Sequence, residues 1–143
     1  MYHAVYSTKE RRPLIHSKWR DELYCYIAPI VAEMNGHQLR AGGVADHVHL
    51  LFRLPPAISV AKAMSAIKAN TSKRINDKFY PVNRGFAWQE GYGAFSVSES
   101  KVTDLIGYID RQEEHHRKLS FQDEFRELLR RHELEFDERY TWD

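Results

Sequence analysis

Only two residues, Ala45 and Asp46, separate two stretches with the composition of β-strands, 37–44 (HQLRAGGV) and 47–54 (HVHLLFRL). A parallel crossover takes a dozen residues or more, so strands this close must run antiparallel. Pro55-Pro56 ends the second. Other elements arrange themselves around this pair. Residues 2–7 read as a short strand, and 17–35 as a helix in which Trp19, Leu23, Ile27, Ile30 and Met34 recur at three- and four-residue steps. Pro29 should kink or interrupt that helix, and Asn35-Gly36 should stop it. Ser59 can cap a helix over about 60–79 with Val60, Ala63, Met64 and Ile67 on its buried side. Residues 80–92 read as a loop anchored by Phe86, Trp88 and Tyr92, and 93–98 as a strand. A helix from Ser98 to about Lys118 and another near 121–133 follow, and an irregular tail ends in FDERYTWD. The order βαββαβα implies an α+β fold, a largely antiparallel sheet with helices packed against it. With no linker or repeat, one domain is expected over 1–143.

Cys25, the lone cysteine, sits among Tyr24, Tyr26 and Ile27 and is expected in the core. The basic residues of MYHAVYSTKERRPLI follow an alternating stretch instead of preceding an apolar one, the wrong order for a secretory signal. No apolar run approaches the ~20 residues needed to span a bilayer. The expected location is the cytoplasm.

A net charge of +1 conceals two basic segments. Residues 59–78 (Lys62, Lys68, Lys73, Arg74 and Lys78 against Asp77) and 9–20 (Lys9, Arg11, Arg12, Lys18 and Arg20 against Glu10) each carry a local balance of +4. Phosphate binding needs a patch, not an average, so both segments are candidate DNA contacts.

Two motifs could carry chemistry. In DHVHLLF, His47 and His49 share one face of a strand while Val48 points to the other. Two imidazoles so placed can hold one divalent ion and leave positions for substrate oxygens; a polar strand face or a zinc hydrolase would use the same triplet. In SESKVTDLIGYIDRQEEHH, Val102, Leu105, Ile106 and Ile109 form an apolar helical stripe, with Lys101, Tyr108, Gln112 and His115 along its edge. Unaided, Tyr108 reads as a packing residue and Gln112 as a surface amide. His115 and His116 read mainly as solvated residues, with a role as general base the alternative.

The segments YHAVYSTKERRPL, GGVADHVHLLFRLPP, IKANTSKRIN, FAWQEGYGAFSVSES and YIDRQEEHHRK, in this order, resemble the single-tyrosine transposases of the insertion sequence 200-like family. That group lies within the HUH nucleases, which are named for two histidines flanking a hydrophobic residue. The resemblance spans nearly the whole chain and implies a ferredoxin-like core, Tyr108 as nucleophile, and His47, His49 and Gln112 as ligands of Mg²⁺ or Mn²⁺. It further implies cleavage and rejoining of single-stranded DNA through a 5′-phosphotyrosine link at hairpin-bearing ends. A homodimer is implied too, in which the tyrosine helix of one subunit can complete the partner's site. Arg11, Arg12, Lys62, Lys68, Lys73, Arg74 and Lys101 are the candidate DNA contacts, with Phe86, Trp88, Tyr92 and Phe95 as possible stacking platforms for bases. A hairpin-binding protein that no longer moves DNA and a metal-dependent nucleic-acid hydrolase are the alternatives.

Overall fold

The computed structural model describes residues 1–116 and 120–131. Its strands β1 (Tyr2–Ser7), β2 (His37–Gly43), β3 (His47–Arg53) and β4 (Gly93–Ser96) form one sheet in the order β2-β3-β1-β4. Every pairing is antiparallel. Helix α1 (Arg20–Glu33) joins β1 to β2, and α2 (Val60–Phe79) joins β3 to β4. Helices α3 (Val102–Asp110), α4 (Gln112–His115) and α5 (Phe121–Arg131) follow the last strand. The α+β architecture expected from the element order is the one observed.

The two central strands are buried on both faces, and alternation sorts their side chains. Ala4 and Tyr6 of β1 and Val48, Leu50 and Phe52 of β3 pack against Leu23, Ile27 and Val31 of α1 and Ala63, Met64 and Ile67 of α2. The opposite face carries Val5, His3, His47 and His49. There Phe121, Phe125, Leu128 and Leu129 of α5 cluster with Val5 and Phe95. Burying a side chain of this size contributes about 1.5–3 kcal/mol, so four of them can seat a helix whose inner face also carries a carboxylate. Phe125 lies so close to β4 that a Cβ on Gly93 would come within 2.5 Å of its ring.

Several local expectations need correction. Helix α1 continues through Pro29. The carbonyl deprived of its partner belongs to Cys25, and both residues lie on the exposed side, where water can satisfy it. Cys25 is therefore exposed, not part of the core. The single helix expected from Ser98 is divided into a 3-10 turn at Glu99–Lys101, α3 and α4. The break falls at Arg111 (φ −99°, ψ 22°), whose N–H is shared between the carbonyls of Gly107 and Tyr108. Phe86, Trp88 and Phe95 are core residues, leaving only half-buried Tyr92 of the four aromatics expected to stack on bases. The Ser59 cap of α2 is as expected, its hydroxyl accepting from the Lys62 N–H at 3.1 Å. Among the described residues, no helix is long and apolar enough to cross a membrane. The ends expected near Lys118 and residue 133, and the tail, lie outside the described residues.

Candidate active site

The histidine face of β3 is sealed from above by α4 and α5. His47 and His49 are fully buried, and Gln112 and Glu124 are each 1% exposed. Glu124 is the hub. Its Oε1 lies 2.8 Å from His49 Nε2, 3.4 Å from His47 Nε2 and 3.1 Å from His116 Nε2. Its Oε2 accepts a short hydrogen bond from the Tyr108 hydroxyl, another from the Gln112 amide at 3.3 Å, and lies 3.2 Å from His115 Nε2. The His49 and Tyr108 rings meet edge to face at 5.5 Å. Outer partners orient both β3 imidazoles. Nδ1 of His47 donates to Asp46 Oδ1 at 2.7 Å, and Nδ1 of His49 lies 2.8 Å from His3 Nε2 across the β1–β3 pairing. Gln112 Oε1 sits 3.1 Å from His47 Nε2.

Position on the sheet sets the charge states. Burial opposes a charge on His47, yet hydrogen bonds to Asp46 and Glu124 outweigh it and lift its pKa to about 9. Burial lowers His49 to about 4 despite the Glu124 contact, so His49 is neutral. Burial also resists ionisation of Glu124, but hydrogen bonds from His116, His47 and His49 hold its carboxyl far below the ordinary range. Tyr108 is pushed well above its usual value by burial, then by the Glu124 charge and hydrogen bond. Glu124 thus accepts the phenolic hydrogen bond while being too weak a base to remove the proton.

Sequence reasoning brought His47, His49, Tyr108 and Gln112 together, and in the structure they converge within one chain. It missed Glu124 altogether, and it misplaced His115 and His116: both are half-buried and turn into the cluster instead of facing solvent. The restart of the helix after Arg111 directs Gln112 and His116 toward His47. The spacing of Phe121, Phe125, Leu128 and Leu129 defines a buried stripe that includes position 124, a signal that could have found the carboxylate.

The candidate DNA contacts are dispersed. Lys101 lines a cleft of about 600 Å³ together with Tyr108, His3, Leu105 and Arg131. Lys62, Lys68, Lys73 and Arg74 lie on α2, across the sheet from Tyr108. Lys68 donates to the Glu90 and Gly91 carbonyls, Lys73 pairs with Asp77 at 3.0 Å, and Arg74 stacks 4.3 Å from the Tyr26 ring. Arg11 and Arg12 follow β1 at the end of the sheet that holds His47, with Arg12 paired to Glu10.

The family described as "Transposase IS200 like" matches the chain over residues 1–112, a span containing His47, His49, Tyr108 and Gln112. The chain belongs to that family. This IS200-like transposase is 30% identical over 112 residues to the transposase for insertion sequence element IS200 of Salmonella typhimurium strain LT2, with 73% of each chain covered. The Salmonella typhi protein of the same name matches to the same extent. The fold resembles the crystal structure of a candidate transposase from Deinococcus radiodurans R1 (TM-score 0.62, 24% identity, covering 78% of this chain and 88% of that one). It also resembles a REP-associated tyrosine transposase bound to a REP hairpin (TM-score 0.62, 13% identity, covering 80% and 67%). His116 and Glu124 of this transposase lie beyond the segment the family matches.

The donor set fits a metal. His47, His49, His116 and Glu124 each offer a ligand atom, all within 4.8 Å of one another, in a group that could hold one ion. Imidazole and carboxylate ligands suit divalent ions of the first transition series.

Proposed function

We propose that this transposase cuts and rejoins single-stranded DNA with Tyr108 as the nucleophile, at a site where His47, His49 and Gln112 hold Mg²⁺ or Mn²⁺. The observation that carries this reading is the convergence of the Tyr108 hydroxyl and both β3 imidazoles on one carboxylate. Side chains gathered around the two oxygens of a carboxylate are chemically suited to the non-bridging oxygens of a phosphate. When bound, the ion polarises those oxygens and orients the phosphodiester for in-line displacement.

The Tyr108 oxygen forms a bond to phosphorus as the bond from phosphorus to O3′ breaks. The phenolic proton is released, and the departing O3′ takes up a proton to become a free hydroxyl. A 5′-phosphotyrosine link remains, so bond energy is conserved and a second 3′-hydroxyl can displace Tyr108 without ATP. Burial beside Glu124 keeps the phenol protonated until substrate changes its surroundings. Lys101, in the same cleft as Tyr108, is placed to meet a neighbouring phosphate. In this reading the DNA ends bear hairpins gripped by the basic residues of α2 and of 9–20, and the protein works in the cytoplasm as a homodimer. The proximity of Tyr108 and Gln112 to His47 and His49 of the same chain supports a site built within each subunit.

The test is incubation with single-stranded DNA carrying hairpin-flanked ends plus Mg²⁺ or Mn²⁺, followed by denaturing electrophoresis and peptide mass spectrometry. A covalent adduct mapping to Tyr108 and absent from Tyr108→Phe is expected. Cleavage that persists in Tyr108→Phe would identify a hydrolase, and hairpin binding without cleavage a recognition module.

A further inference from the structure

We infer that the metal centre of this transposase is a four-ligand one, formed by His47, His49, His116 and Glu124, and that Glu124 is its removable ligand, displaced when a phosphate enters. The inference rests on the reading that the β3 histidines bind a metal, and adds two ligands, a closed state and a preference among ions.

Three observations support it. First, Glu124 is a buried carboxylate on the apolar face of α5, between Phe121, Phe125 and Leu128. A charge so placed is expensive unless it is paired or coordinates a cation. Second, His116 Nε2 is buried and lies 3.1 Å from Glu124 Oε1, inside the group of four ligand atoms that all lie within 4.8 Å of one another. Third, Asp46 and His3 occupy the Nδ1 atoms of His47 and His49 and so direct both Nε2 atoms toward Glu124.

Three imidazoles and a carboxylate fill the shell of a four-coordinate ion and leave an octahedral ion such as Mn²⁺ two positions for water, so loss of the carboxylate opens a further one. The Glu124 side chain also caps Tyr108 and Gln112 through its second oxygen. One residue therefore occupies the ligand position and the nucleophile together, and a scissile phosphate must replace it at both. Gln112, 3.1 Å from His47, remains the oxygen donor of the open state. A nitrogen-rich set selects Mn²⁺ over Mg²⁺, which prefers oxygen ligands and retains its water.

The test uses the full chain, stripped of metal and titrated with Mn²⁺ without DNA. Electron paramagnetic resonance counts free ions, and water-proton relaxation reports water on bound ones. One site per chain is expected, not displaced by a large excess of Mg²⁺. Glu124→Gln and His116→Ala should each weaken Mn²⁺ binding at least about tenfold, the scale reported even for outer partners of a metal site. The relaxation enhancement per bound ion should rise in Glu124→Gln. Glu124→Asp should recover much of the affinity, and circular dichroism identifies any variant that fails to fold. Wild-type affinity in both Glu124→Gln and His116→Ala, with binding lost in His47→Ala, overturns the inference and leaves the function reading standing. No Mn²⁺ binding by the wild type overturns both.

Discussion

Tyr108 is held in check by its neighbour. The Glu124 charge is a direct cause of its raised pKa, so Glu124→Gln should bring the phenol closer to its ordinary value; NMR titration of Cζ-labelled tyrosine would register the change. The same pair of elements sets the pH response of the metal-free protein. His47 has a folded pKa of about 9 against an ordinary 6.5, so its stabilisation is complete below 6.5 and lost as pH rises through 9. His49, depressed to about 4, acts oppositely: its contribution is present above 6.5 and lost as pH falls through 4. Glu124 contributes above its ordinary 4.5 and loses that contribution further into acid. Thermal melts in chelator should peak near pH 6.5, and Glu124→Gln should flatten the alkaline side. A melting temperature that climbs steadily toward pH 9 would contradict these assignments.

Helix α3 is positioned by a strand with no side chain at the contact. A Cβ on Gly42 would lie 2.7 Å from Ile109 Cγ2 and 2.8 Å from the Ile109 carbonyl oxygen. Gly42→Ala must move α3 away from β2, and Tyr108 with it. Loss of the covalent adduct is expected while the protein stays folded and α2 unaffected. The Ser59 cap offers a contrast: Ser59→Ala should cost about 1 kcal/mol of stability, read by denaturant unfolding, with the adduct still formed. In α5, Phe125→Ala should destabilise by about 3 kcal/mol or more, with accelerated hydrogen exchange over 121–131 before the sheet opens. The strands, α2 and the two chemical motifs were legible because period-two and period-3.6 patterns survive in them. The break at Arg111 was not, because the stripe from Val102 to Ile109 continues naturally into Gln112. Glu124 was hidden for a related reason: FQDEFRELLRR reads as an ordinary amphipathic helix, and although its stripe includes position 124, nothing local says which groups a carboxylate there would meet.

The sheet divides the molecule into two territories. The candidate active site occupies the side of α3–α5 and the basic helix α2 lies on the other, so in the proposed reading gripping and cutting DNA are separable. Charge reversal at Lys73 and Arg74 should weaken hairpin binding and lower its salt dependence while leaving Mn²⁺ affinity unchanged; filter binding across salt concentrations measures the first and resonance titration the second. An equal loss of metal affinity would mean the two sides communicate. The strand that separates these territories also belongs to both, because β3 faces inward on each side and alternates donors with hydrocarbon. His47 pairs with Ser7 and His49 with Val5. Sliding this strand by one residue would thrust imidazoles into the oily layer and set Val48 and Leu50 where nitrogens belong. A strand out of register therefore loses the core layer and the candidate ligands together, so the alignment that makes the fold stable is also the one that assembles the site.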